Sequence, residues 1–246
     1  MVGDALLEHA QRLWATLAAT PVTFTTSAIE VVVSPRSLLC PPGWVGIVVM
    51  GNAAIATAPD DSAAEIVQQT LNGLPPAAMT DPAAVRARLP ISDILGPATL
   101  AYCDRAGFQP RESSDVQMSP ADHADVATLL ARVPAEDAAE SGLDEITSPA
   151  FVVRSGSEII AAAGYRAWPS DTAHLSVLTD PVARGRGLAR IVATAAVAAA
   201  LQADLLPQWR ARPAASRRVA QALGFSELGS QLSIRLTPVD SHAGRP

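Results

Sequence analysis

Hydrophobic residues first recur at helical spacing. Leu6, Leu7, Leu13, Trp14 and Leu17 share a face, predicting a helix over residues 4–19 that Pro21 ends. Two β-like stretches follow. Residues 29–33 are a β-branched run, and the apolar stretch 44–58 is divided by Gly51-Asn52, a hairpin-type turn signal. Ser34-Pro35 and Cys40-Pro41-Pro42-Gly43 mark the loop between them. Residues 62–71 predict a helix capped by Ser62 or Asp61 and ended by Asn72-Gly73. Asp81-Pro82 predicts another helix start, with the aspartate as cap and proline at the first helical position. Residues 95–104 read as a helix or a strand. The polar stretch 108–120, with Pro110, Ser113-Ser114 and Pro120, reads as a connection between two halves.

The second half is patterned more sharply. Residues 121–132 and 134–146 predict two helices, and residues 151–153 and 158–163 flank Ser155-Gly156-Ser157 as a hairpin. The second hairpin strand continues through 165–168 until Pro169-Ser170-Asp171 breaks it, and 174–178 predicts a further strand. A glycine-containing loop then opens into a helix from about 187 to 203. Residues 205–211 predict a strand, 214–223 a helix, and 225–236 one or two final strands. The order α-α-β-β-β-α-β-α-β predicts an α/β domain with a mixed sheet. A length of 246 residues suits two domains. The division expected is 1–112 for an N-terminal α/β domain and 113–246 for the second.

Composition narrows the function classes. With 49% hydrophobic and 17% charged residues the chain buries a core rather than staying disordered. Its net charge of −6 hides an asymmetry: residues 1–150 hold seven Arg against eighteen acids, and residues 151–246 hold eleven Arg against six. The basic half is where an anionic ligand is expected. Lacking a sustained basic face, the chain is not expected to bind nucleic acid. Two cysteines, Cys40 and Cys103, with no CxxC and no His/Cys pairing at ligand spacing, predict neither a structural metal nor a disulfide framework. The apolar run 191–201 is too short to span a bilayer, and the start has no basic segment leading into an apolar one. A cytoplasmic protein without membrane partners is expected.

The chemistry concentrates at Arg184-Gly185-Arg186-Gly187-Leu188-Ala189, between a predicted strand and a predicted helix. A helix start offers unpaired N–H groups and the positive end of the helix dipole. Glycines let the backbone approach an anion, and Arg184, Arg186 and Arg190 add positive charge, so the loop could hold a pyrophosphate. A plain turn with solvated arginines is the other reading of the same composition. The loop is neither the GxGxxG dinucleotide fingerprint nor a P-loop with its Lys-Ser/Thr.

Val177-x-Thr179-x-Pro181 followed by Arg184-x-x-Gly187-x-Ala189 resembles the [QR]-x-x-G-x-[GA] motif of the GNAT N-acetyltransferase superfamily. Pro213 to Phe225, ending in Leu223-Gly224-Phe225, resembles that family's last helix. The resemblance covers about residues 115–238. It implies a mixed, mostly antiparallel GNAT-type sheet flanked by helices, and an acyltransferase of the EC 2.3.1 type that uses acetyl-CoA as cosubstrate and needs no metal. By position it implies that Val177, Leu178 and Thr179 contact the pantetheine arm and acetyl carbonyl, and that Arg184, Gly185, Arg186, Gly187, Leu188 and Ala189 hold the pyrophosphate. A fixed N–H at that carbonyl would stabilise the negative charge that develops during amine attack.

Two departures from the family stand out. The Asn that often begins the last helix is replaced by Pro213, and the Tyr that often protonates the leaving thiolate is replaced by Ala220. Ser216, one turn earlier on the same face, is the catalytic candidate that could hydrogen-bond the sulfur directly or through water, and its other reading is a helix-start residue. His174 is the candidate base, near where family members often place a carboxylate, and otherwise a histidine at a strand end. Glu158, Asp171 and Glu145 are lesser candidates. Direct transfer in a ternary complex is expected, to the primary amine of a small molecule or peptide. The runner-up is a catalytically inactive acyl-CoA-binding or interaction module. Ala106-Gly107-Phe108 faintly echoes Leu223-Gly224-Phe225, so residues 1–112 read either as a degenerate second copy that walls the acceptor pocket or forms a homodimer interface, or as an unrelated α/β cap.

Overall fold

The computed structural model describes residues 2–25, 28–111, 113–119 and 124–237. The chain forms two compact units, Met1–Thr99 with Leu228–Pro246, and Leu100–Glu227. This partition differs from a single cut at 112/113. The difference arises from strand pairing between residues far apart in sequence, which leaves no local signal in the hydrophobic pattern.

In the first unit, α1 (Val2–Leu17) buries Leu13, Trp14 and Leu17. The strands β1 (Glu30–Val33), β2 (Val45–Met50) and β3 (Ala53–Ala58) match the apolar runs, with β2 and β3 joined at Gly51-Asn52 and buried along their whole length. The helix α2 (Asp61–Leu71) is capped by Asp60 rather than by Ser62 or Asp61, its carboxylate accepting from the Ala63 N–H. A short helix α3 (Pro76–Met79) was not marked by the pattern, whereas α4 (Pro82–Arg86) starts as Asp81-Pro82 indicates. The stretch around 95–104 is a strand, β4 (Ile91–Tyr102). The last strand, β10 (Ser226–Leu236), pairs antiparallel with β2 over Gly229–Ile234, and the order in this unit is β1-β3-β2-β10-β4. Its core joins Val45, Ile47, Ile55-adjacent alanines and Val67 to Leu232 and Ile234.

The second unit has the order β9-β8-β7-β6-β5. Its first strand, β5 (Val116–Ser119), lies within the stretch read as a connection, and it pairs antiparallel with β6 (Ala150–Ser155). As a strand with no buried residue, β5 is polar enough to look like a loop. The helix α5 (Ala124–Arg132) follows, and residues 121–123 of its predicted span lie outside the described residues. The predicted helix 134–146 is broken: α6 (Ala135–Ser141) stops at Gly142, which is left-handed, and a 3-10 turn Leu143–Glu145 continues. Then come β7 (Glu158–Trp168), β8 (Thr172–Thr179), α7 (Leu188–Gln202), β9 (Leu206–Ala211) and α8 (Ala214–Ala222).

In this unit β5 through β8 pair antiparallel with their neighbours, and β8 pairs parallel with β9. The sheet is therefore mixed and mostly antiparallel, as expected. One face packs against α7 and α8, around Phe151, Leu175, Val192, Trp209 and Phe225. The other packs against α5 and the segment after it, through Val126, Leu129, Leu143 and Ile146. The small side chains along α7 (Ala193, Ala196 and Ala200 are fully buried) let this helix lie close to the sheet and fix its N-terminus beside the end of β8.

Candidate functional site

The site begins with a defect in the sheet. β8 pairs with β7 along its full length, from Thr172 to Thr179. Its pairing with β9 is confined to Thr172, Ala173 and His174 against Leu206, Pro207 and Gln208. Beyond His174 the two parallel strands part, and the backbone of 175–179 turns one edge to the gap. A cavity of about 540 Å³ occupies this gap and runs to the start of α7.

Asp180 organises the turn out of β8. Its buried carboxylate accepts from the Val182 N–H at 3.1 Å and from Arg132 Nε at 2.8 Å, while Arg132 also donates to the Ile159 carbonyl at 2.6 Å. An arginine of α5 thereby fixes the loop's first residues. Gly185 and Gly187 both have φ of +78°, a conformation that side chains disfavour, and Gly187 caps α7. The first N–H groups of α7 are therefore presented at the cavity with no intrahelical acceptor.

Of the nine residues expected to contact the acyl donor, Val177, Leu178, Thr179, Arg184, Gly185, Gly187, Leu188 and Ala189 line the cavity, and Arg186 does not. Arg190 also lines it. Thr179 Oγ1 and Arg190 Nε are buried in its wall without a hydrogen-bond partner among the described residues. Such atoms suit a polar ligand. Arg184 donates to Asp137 at 2.7 Å and Arg212 pairs with Glu140, so the acidic face of α6 meets both lips of the gap.

The two catalytic candidates are placed differently. Ser216 lines the cavity, and its hydroxyl oxygen accepts from Trp209 Nε1 at 2.9 Å, which leaves the O–H free to donate. His174 is half-buried where the strands part and does not line the cavity. Its ring stacks on Trp168 at 4.1 Å, and Nδ1 donates to Gln208 Oε1 at 2.5 Å. Burial, and after it the charge of Arg210, pushes its pKa down to about 3, against a partial offset from the Gln208 hydrogen bond.

Glu158, Asp171 and Glu145 are not among the cavity-lining residues, and Glu158 and Glu145 are paired with Arg132 and Arg166. The carboxylates at the cavity are Asp137 and Glu140, which sequence reasoning missed. It also missed Arg111, Arg210 and Arg218 in the wall. The charge excess of the second half was the one signal that pointed toward such a positive lining.

Residues 148–230 match the family model for GNAT acetyltransferases. This segment belongs to the GNAT acetyltransferase family. It is about a third of the chain and contains the parted strands, the arginine–glycine loop, α7, β9 and α8. No curated protein matches the sequence. Among solved structures, a GNAT-family protein from Novosphingobium aromaticivorans is similar at 19% identity, with 58% of this chain and 65% of that one covered and a TM-score of 0.48. A GNAT-family acetyltransferase from Colwellia psychrerythraea is similar at 13% identity, covering 63% and 60%, with a TM-score of 0.46. The protein yncA from Salmonella typhimurium, solved with its cofactor acetyl-CoA, is similar at 16% identity, covering 52% and 95%, with a TM-score of 0.37. The chain thus spans less than two thirds of the length of the first two. Among the described residues no helix is long and apolar enough to cross a membrane.

Proposed function

We propose that the chain is an acetyl-CoA-dependent N-acetyltransferase that passes the acetyl group directly to a primary amine. The observation that carries the reading is the cavity where β8 leaves β9, continuous with the glycine-capped start of α7. Bound there, acetyl-CoA would supply a thioester whose carbonyl carbon the amine attacks, with the C–S bond breaking as the amide forms.

The protein's part is positional and electrostatic. The unpaired edge of 175–179 offers N–H groups to the pantetheine amides and to the carbonyl oxygen as it gains charge. The first amides of α7, with Arg184 and Arg190, hold the pyrophosphate. Orphaned Thr179 Oγ1 and Arg190 Nε support a polar ligand in this place. Ser216, held by Trp209, donates a hydrogen bond to the departing thiolate, at the place of the tyrosine that Ala220 replaces, and the thiolate takes its proton from water. His174 acts as a positioning residue that holds Gln208 where the strands part. Asp137 and Glu140 attract a cationic amine, which gives up its proton to water before its lone pair attacks. Direct transfer is supported by the thiols: burial pushes Cys40 up to about 11 and Cys103 up to about 12, so neither is a ready nucleophile. The first unit, Met1–Thr99 with Leu228–Pro246, which lacks an arginine–glycine loop, is read as a non-catalytic domain.

A second reading, an inactive acyl-CoA-binding module, is favoured by Ala220, which is buried in the core and offers no proton. The release of free CoA from acetyl-CoA, followed against polyamines, amino acids, aminoglycosides and peptide N-termini, separates the two. Amine-dependent release is the expected result. Silence across the panel while acetyl-CoA still binds would establish the module instead.

A further inference from the structure

Arg111 lies outside the family segment and outside every motif of the sequence, yet its position is tightly specified. Its backbone N–H donates to Thr194 Oγ1 at 3.0 Å, and Thr194 donates in turn to the Arg190 carbonyl at 2.8 Å. Two residues earlier, the Gln109 N–H donates to the Leu223 carbonyl at 2.9 Å. The strap from 109 to 111 is thus fastened to the end of α8 and to the second turn of α7.

The side chain then reaches the acyl-donor loop. A Cβ on Gly187 would stand 2.8 Å from Arg111 Nη1, so the guanidinium rests against the cap of α7. This is the positive end of a helix, already flanked by Arg184, Arg186 and Arg190, and no carboxylate among the described residues pairs with Arg111. With Arg184 paired to Asp137, the positive charge that remains at this cap suits a bound anion.

Arg111 also lines a second cavity next to the first. Ser113, Ser114 and Thr194 provide hydroxyls in it, and Val116 and Ile191 provide apolar surface. A guanidinium with neighbouring hydroxyls is donor chemistry for a phosphate monoester, and the apolar wall suits the edge of a base. One residue joins this cavity to the pyrophosphate loop.

We propose that Arg111, with Ser113 and Ser114, forms a subsite for the phosphate monoester on the ribose of the acyl donor, the 3′-phosphate that distinguishes CoA from dephospho-CoA. The inference rests on the reading of the first cavity as a CoA site. It makes the strap before β5 a specificity element that selects the phosphorylated nucleotide.

Calorimetric titration of the full chain with CoA and with dephospho-CoA tests it, using wild type, Arg111→Ala and the double variant Ser113→Ala/Ser114→Ala. Loss of charge-assisted hydrogen bonds to one phosphate should lower CoA affinity on the order of tenfold or more in Arg111→Ala. Affinity for dephospho-CoA should stay within about threefold of wild type, and the serine pair should show the same selectivity at smaller size. Equal binding of the two ligands by wild type overturns the proposal. So does an equal loss for both ligands in Arg111→Ala, which would assign the residue to the pyrophosphate. Failure of wild type to bind either ligand is a different result, since it removes the CoA reading itself. Thermal melting of ligand-free Arg111→Ala, expected to match wild type, separates lost contacts from lost folding.

Discussion

His174 stands at the last paired position of β8 and β9, stacked on Trp168 and bonded to Gln208, with the charge of Arg210 nearby. These surroundings favour the neutral ring. Its pKa falls from an ordinary 6.5 to about 3, so between these values the unfolded chain takes up a proton that the folded chain refuses. The contribution of His174 to stability is therefore complete above about pH 6.5 and is lost as the pH falls toward 3. Urea unfolding of wild type and His174→Asn at pH 7 and pH 5 checks this: wild type should lose more stability over the interval than the variant. Equal losses would mean that the ring takes its proton in the folded state. The sequence suggested a base at 174 because the residue lies at the start of the strand before the loop. It could not reveal the partners that neutralise the ring, because Gln208 comes from β9, 34 residues later. Asp137 and Glu140 were hidden for a similar reason, as only the docking of α6 brings them to the cavity.

Among the elements, the strand, loop and helix of the candidate site were legible because each is coded locally. The turn at Asp180-Pro181, the two glycines and the apolar run of α7 follow one another without interruption. What pattern could not supply was β5, too polar to read as a strand, and the break of α6 at Gly142. The Leu223-Gly224-Phe225 signature also acquires a physical cause. Gly224 has φ of +88°, and a Cβ there would run into the carbonyl oxygen of Gly107, where the strap toward Arg111 crosses the end of α8. Gly224→Ala should accordingly lose about 2 kcal/mol or more in urea unfolding, from backbone strain together with the displaced crossing. A loss below about 0.5 kcal/mol would show that the crossing is loosely packed. The segment that reads as a mere connection is thus held against α8 by close contact, and this is the same segment that aims Arg111.

At the scale of the whole molecule, the charge asymmetry of the sequence reappears at the site. The cavity wall carries Arg111, Arg184, Arg190, Arg210 and Arg218 against Asp137 and Glu140, a lining suited to a ligand with several negative charges. The two-unit organisation was legible only in outline. Local pattern placed the division after residue 112, but β10 belongs with β2 in the first unit, a pairing between residues about 180 positions apart that no local signal encodes. The central claim concerns the second unit: an acyl-CoA binds where β8 leaves β9, with its pyrophosphate at the cap of α7. Calorimetric titration of wild type and Gly187→Glu with acetyl-CoA tests this most directly, since the glutamate would put a side chain and a negative charge into the loop at a backbone conformation reserved for glycine. The account predicts single-site binding by wild type and none by the variant. Absence of binding by wild type at millimolar ligand, or equal affinity in the variant, would contradict it.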